Sequence, residues 1–344
     1  MDYPGEKLLI KLWETLAEKG VGSLLIPWQE KRVAKARIEI RKSEMLQIAQ
    51  VEKEVEAIKA GKYSLKGSDS NKLLNAPPER VDELGRVEPT LNLDDLATSV
   101  MNNDLSEGIR RETNIAKAIL NAEDVLQNDA QEPSEDPVED DWLFAWRDYA
   151  GRVSSSELQD LWGRILAGEV KQPGSYSMRT LEFLKGLSRS EALLISKLAR
   201  FVIASRIFRE KDKFLESEGI NFSKLMFLQD IGVLSGVEAT GLTSSIGSLS
   251  EDMFFQAITA NNKVMLLEND DPKKQVKMPV YLLTQIGTEV LKLASFDIHP
   301  EYLESVAKDF VRQGFTVKLA DWVQQTANSG QFFNAVEITL EQNS

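Results

Sequence analysis

Apolar residues recur with helical spacing over the first two-thirds of this chain and in shorter alternating bursts toward its end. Leu9, Leu12, Trp13 and Leu16 fall on one side of a helical wheel, which predicts an amphipathic helix that Gly20, Gly22 and Pro27 then break. A short apolar link, Leu24, Leu25, Ile26 and Trp28, precedes a long charged helix expected from about Glu30 to Lys59. There Ile48, Val51, Val55 and Ile58 alternate steps of three and four, the spacing of a helix-to-helix seam, either within one chain or between subunits. Residues 63–104 are dominated by Ser, Asn, Pro, Gly and charge, too little apolar surface to offset ordering, and are expected to form a flexible connector. Helix resumes near Leu105 and runs to Leu126, with Ile109, Ile119, Ala122 and Leu126 as its apolar positions.

The segment 142–187 holds the densest pattern. Leu158, Leu161, Trp162, Ile165 and Leu166 sit at i, i+3, i+4, i+7 and i+8, one buried helix face. Ser154 with Glu157, and Ser188 with Glu191, have the spacing of capping boxes, in which the serine oxygen and the glutamate satisfy two amides of the first turn reciprocally. Pro173 and Gly174 mark a tight turn. Trp142, Trp146 and Tyr149 share a face and read as core anchors.

Beyond Ser188 the pattern predicts a helix to about Phe208, a short helix stopping at Gly232, and strands at Lys263–Asp270 and Gln275–Leu283 joined by a turn at Asp271–Pro272. Thr284 caps a closing helix. Helices, a β-ribbon and a further helix resemble the layout of a winged helix, interrupted by residues 235–258. The final part reads as helix (300–313), strand (315–319), helix (321–328) and strand (335–340). The expected fold is mainly α with a smaller α+β carboxy-terminal part. Its parts are amino-terminal helices 1–62, the connector 63–104, a helix plus acidic linker 105–141, an aromatic helical core 142–187, a winged-helix-like domain 188–295 and a small α/β cap 296–344.

Two runs, LWGRILAGEV at 161–170 and PGSYSMRTLEFL at 173–184, resemble an uncharacterised bacterial family, a domain of unknown function marked by LWxRILAGE…PGSxSxRTL. Weaker similarity extends to Pro27–Ala36 and to Arg110, Arg111 and Asn114. The resemblance implies a bacterial source and a helical core. It carries no activity, so no functional residue transfers from it.

Composition narrows the field. With 42% hydrophobic residues over 344 positions, the chain can bury a sizeable core and hold two or three domains. Its longest apolar runs fall short of the roughly 18 residues that would span a bilayer. Asp2 and Glu6 stand where a secretory signal needs positive charge. The absence of cysteine removes disulfides, thiolate zinc sites and cysteine nucleophiles together. These features predict a cytoplasmic protein, peripheral to the inner membrane in one version. The net charge is −13, unfavourable for diffuse attraction to phosphate backbones. It is unevenly spread: Glu123 to Asp141 carries nine acids and no base, an expected solvated linker, whereas Lys31 to Lys42 carries six bases against Glu39.

No catalytic residue, cofactor site or metal site is predicted. The single histidine, His299, excludes a triad and reads as a helix-start residue before Pro300. Gly236–Thr243 has phosphate-loop spacing but places Leu242 where lysine should stand. Asp94–Asp95 and Asp140–Asp141 read as solvated charge, and Glu54, Glu56 and Lys59 match a nuclease pattern only loosely. The leading expectation is a non-enzymatic interaction or scaffold protein, oligomeric with copies of itself or bound to another protein, in a setting such as stress or phage response. A membrane surface is a further candidate partner for the same element. Trp13, Leu24, Leu25, Ile26, Trp28, Lys31, Arg32, Lys35 and Arg37 are the candidate partner or membrane contacts, apolar groups beside a basic rim. The alternative is a winged-helix nucleic-acid-binding regulator using Arg200, Arg206, Arg209, Lys211 and Lys213, with Lys224 beside them. A third is a metal-dependent hydrolase.

Overall fold

The computed structural model describes residues 4–22, 25, 46, 48–53, 55–56, 93–239, 242–326 and 329–340. Of the expected first helices it covers one turn-rich helix and part of the long charged one. The chain divides into two compact units, residues 1–174 and 175–344.

In the first unit, α1 (Glu6–Glu18) buries Leu8, Leu9, Leu12, Trp13 and Leu16, the face that periodicity predicts. A helical stretch within residues 46–56 buries Ile48 and Val55 inside the same unit, while Ile58 lies outside the described residues. Next come α2 (Leu93–Leu126), α3 (Asp140–Ala150) and α4 (Ser156–Lys171). Helix α2 starts at Leu93 rather than near Leu105, so residues 93–104, expected in the connector, are helical. Its early turns leave Leu96, Val100 and Met101 exposed, so no buried stripe marks them in the sequence.

Helices α2 and α4 pack along each other. They meet at Gly163, where an added Cβ would lie 2.6 Å from the Asn121 Cβ and 2.9 Å from the Ala118 carbonyl oxygen. Only a residue without a side chain allows that approach. The cap of α4 is Ser155, whose Oγ accepts the Leu158 amide, rather than Ser154. Ser154, Ser155 and Ser156 offer the same chemistry, and burial of Trp162, Ile165 and Leu166 sets which one stands at the helix start.

The acidic segment between α2 and α3 is tied down. Lys7 pairs with Glu132 at 2.8 Å, Lys19 pairs with Asp140, and Lys11 Nζ donates to the carbonyls of Ser134 (2.7 Å) and Asp136 (2.8 Å). Burial lowers the Lys11 pKa, against the nearby Asp136 charge, and the hydrogen bond to Asp140 raises that of Lys19. The segment is an irregular strap held to α1 that keeps Glu132, Glu135, Asp136 and Glu139 exposed and buries Val138.

The second unit contains α5 (Met178–Gly186), α6 (Arg189–Ala199), β1 (Arg206–Phe208), α7 (Asp212–Ser217), α8 (Phe222–Asp230), β2 (Leu234–Ser235), β3 (Thr243–Ile246), β4 (Phe254–Ala260), β5 (Lys263–Asn269), β6 (Val276–Leu283), α9 (Gln285–Leu291), α10 (Pro300–Arg312), β7 (Thr316–Thr326) and β8 (Ser329–Glu337). Two antiparallel four-stranded sheets form. One runs β1-β6-β2, with β3 also on β6; the other runs β4-β5-β7-β8. The chain is therefore α+β, which overturns the expectation of a mainly α fold.

Two local corrections follow from the pairing. Strands β5 and β6 are present where predicted, yet they do not form a ribbon. Val264, Met265, Leu266 and Leu267 are all buried, so β5 needs cover on both faces. It pairs with β4 and β7, while β6 pairs with β1, β2 and β3. Residues 321–326, expected in a helix, continue β7, because the ladder to β8 runs on from Asp321↔Phe333 to Thr326↔Ser329. Helix α10 covers β7 with Tyr302, Leu303, Val306, Ala307 and Phe310, and Phe254–Phe315 and Phe208–Phe310 ring contacts fill the space beneath. The expected caps Ser188 (a complete capping box with Glu191) and Thr284 are in place. No helix among the described residues is long and apolar enough to cross a membrane.

Candidate functional site

The expected attachment element is only partly described. Trp13 and Leu25 are 9% and 2% exposed, so both are used in the core of the first unit and neither offers a surface. Leu24, Ile26, Trp28, Lys31, Arg32, Lys35 and Arg37 lie outside the described residues.

The cations proposed for nucleic acid are each engaged within the second unit. Arg200 pairs with Glu218 at 2.6 Å. Arg206 donates to Ser244 Oγ (2.9 Å) and the Ala204 carbonyl (2.6 Å). Arg209 donates to the carbonyls of Val280, Gly236 and Val237 with its guanidinium 4.4 Å above the Tyr281 ring. Burial raises the Tyr281 pKa, aided by Asp212 and opposed by Arg209. Lys211 is 8% exposed and bonds Asp309 (2.6 Å) and Ser305 Oγ (2.9 Å). Lys213 lies 4.9 Å over the Phe214 ring, and Lys224 donates to the Gly219 carbonyl. These groups brace loops, so a phosphate would have to displace existing partners. Helix α8, which follows the short α7 as a second helix of a winged helix would, exposes Phe222 and Phe227 instead of a basic row.

Three of the remaining chemical candidates also resolve into structure, while Glu54 and Lys59 lie outside the described residues. His299 Nδ1 accepts the Tyr302 amide and caps α10. Gly236–Thr243 leads into strand β3, not the helix that a phosphate loop requires. Asp140 and Asp141 occupy the first turn of α3, where the helix dipole favours acids. Among the described residues, no group of three or more His, Asp or Glu is placed to hold a metal ion. The motif residues serve packing: Trp162 O accepts from Trp146, buried Glu169 accepts the Gly174 amide (2.6 Å), and Ser177 caps α5 while donating to Glu289 (3.0 Å).

Two features escaped sequence reading. The first is the β7–β8 hairpin. Among the described residues strand β8 is an edge, and Gln331 through Glu337 are exposed on both faces, Phe332 at 49%, Phe333 at 43% and Val336 at 63%. Val323 of β7 adds to the same surface. Lys263 and Asn334 hold the Asp321 carboxyl below the usual carboxylate range at the base of this hairpin. The second is a buried amide pair, Asn114 and Gln159, at the α2–α4 interface. A polar residue on a helical wheel gives no sign of being buried, so neither could be read from spacing.

No curated protein and no solved structure matches the chain. Residues 102–211, which run from within α2 past β1 and span the 161–181 pattern, match the model of a family described as a protein of unknown function (DUF2806).

Proposed function

We propose that this chain is an interaction protein that assembles with copies of itself through the free edge of β8, acting in the cytoplasm. One observation carries the reading: an edge strand that exposes Phe332, Phe333 and Val336 and whose only charged side chain between Ser329 and Glu337 is Glu337 itself. Edge strands that must stay unpaired are guarded by lysines, prolines or inward charges. None of these stands on β8, which carries a register shift beside Asn334, between Leu319↔Val336 and Asp321↔Phe333. Its unpaired backbone groups are satisfied by another strand, and a second β8 laid antiparallel extends the four-stranded sheet across a twofold axis.

Light scattering on the purified chain tests this. The native chain should scatter as an oligomer at micromolar concentration, and Phe332→Lys with Val336→Lys should shift it to single-chain mass while leaving its circular dichroism intact. A native chain that scatters as one copy removes the reading. The nucleic-acid alternative has the order β1-β6-β2 around α6, α7 and α8 in its favour, the arrangement of a winged helix. It has less support, because the cations it needs are already bonded. Salt-dependent DNA binding that weakens on Arg206→Glu would revive it.

A further inference from the structure

A cavity of about 420 Å³ opens in the first unit between α2, the start of α4 and the helical stretch at 46–56. That volume falls in the range of small-molecule sites. Its floor is aliphatic, made by Ile48 and Leu120, which are 4% and 5% exposed. Its charged walls are neutralised in pairs, Lys117 with Glu52 at 2.5 Å and Asp160 with Arg164 at 2.9 Å. What remains for a ligand is the Ser156 hydroxyl at the mouth and the carboxamides of Asn121 and Gln159.

Gln159 lines this cavity and is 4% exposed. The orientation of its amide is fixed by a relay. Asn114 Nδ2 donates to the Gly151 carbonyl (2.9 Å), which turns Asn114 Oδ1 toward Gln159. Gln159 Nε2 must then face it, and donates both to that oxygen and to the Val153 carbonyl, each at 3.2 Å. Both amide hydrogens are consumed. Among the described residues nothing donates to Gln159 Oε1, so the cavity holds a preset acceptor. Gln159 Oε1 is not sealed from solvent; it opens to the cavity, where a donor can reach it. The Asn121 carboxamide, on α2, also lines the cavity and has no hydrogen-bond partner among the described residues; it can both donate and accept.

We infer that this cavity binds a neutral, planar ligand with an N–H donor beside an acceptor, the nucleobase or nucleoside class. The donor meets Gln159 Oε1, the adjacent acceptor meets Asn121, and the flat ring lies on Ile48 and Leu120. The wall charges cancel, Lys117 against Glu52 and Asp160 against Arg164, so the cavity offers a strongly ionic ligand no net countercharge. This site belongs to the first unit and β8 to the second, and the inference does not rest on assembly.

Adenosine, guanosine, cytidine and uridine, titrated singly into the full chain by calorimetry, are the probes. At least one should bind saturably with a dissociation constant below about 1 mM. Ala49→Trp, at an exposed position on the rim, should abolish binding by filling the cavity. Asn121→Ala, which keeps the Cβ that packs against Gly163, should weaken it about ten-fold. Circular dichroism confirms that each variant is folded. If no nucleoside binds at millimolar concentration, or if binding is unchanged in Ala49→Trp, the assignment is overturned.

Discussion

Trp146 Nε1 donates a hydrogen bond to the carbonyl oxygen of Trp162, 2.9 Å away, and both rings are sealed in the first unit at 0% and 1% exposure. The bond links a side chain of α3 to the backbone of α4, while the Trp162 ring meets that of Tyr149 at 5.8 Å. Trp146→Phe removes the donor and leaves a void, and should cost about 1–3 kcal/mol in urea denaturation. An unchanged midpoint would show that the ring alone matters.

Gly163→Ala sets two effects against each other. Helix propensity favours alanine by about 1 kcal/mol. The new methyl would meet the Asn121 Cβ at 2.6 Å and a backbone oxygen at 2.9 Å, and overpacking of that kind costs about 1–3 kcal/mol. Packing should win, with a net loss of stability and a lower melting temperature. A more stable variant would mean that α2 and α4 part easily.

Asp129 gives a pH dependence with a defined sign. Burial alone would raise its pKa, but Lys171 Nζ at 2.7 Å and the Gln131 amide outweigh this and hold it below the usual range. A carboxylate with a depressed folded pKa stabilises the fold at pH above its unfolded value of about 3.9. That contribution is lost as pH falls from there through the folded value. Asp129→Asn should flatten this part of the acid-unfolding profile, measured by tryptophan fluorescence between pH 5 and 2.

Tyr302 is fully buried in the second unit, where its hydroxyl oxygen accepts the Phe208 amide at 2.8 Å, and burial pushes its pKa above the ordinary range. Tyr302→Phe keeps the edge contact with Phe201 at 5.2 Å but orphans that amide. A loss of about 1–3 kcal/mol is expected, read by hydrogen exchange at Phe208.

The serines before α4 separate a cap from its neighbours. Ser155→Ala should cost about 0.5–2 kcal/mol, because its Oγ accepts the Leu158 amide. Ser154→Ala should cost little. Equal effects would mean that the helix start slides between the two.

How much was legible differs by element. The apolar face of α1, the later part of that of α4 (Trp162, Ile165 and Leu166, but not Leu158, which is exposed) and the caps Ser188 and Thr284 could be read because each depends on residues within one or two turns. The first half of α2 could not, since its exposed Leu96, Val100 and Met101 make no buried stripe. Residues 321–326, expected in a helix, went to β7 because the ladder to β8 outweighs a weak local preference. The candidate cations were visible as charge, but their partners, such as Asp309 for Lys211 or Glu218 for Arg200, lie far along the chain or across a loop.

Sequence alone settled the buried face of α1 and the caps Ser188 and Thr284, since those follow from a period of 3.6 residues and from the chemistry of a few side chains at a helix end. Only the tertiary structure decided which strand pairs with which, that Gln159 is locked by Asn114 with its oxygen left over, and that β8 ends its sheet with both faces bare. These depend on contacts between residues distant in the chain, and such contacts are fixed by packing rather than by any local pattern.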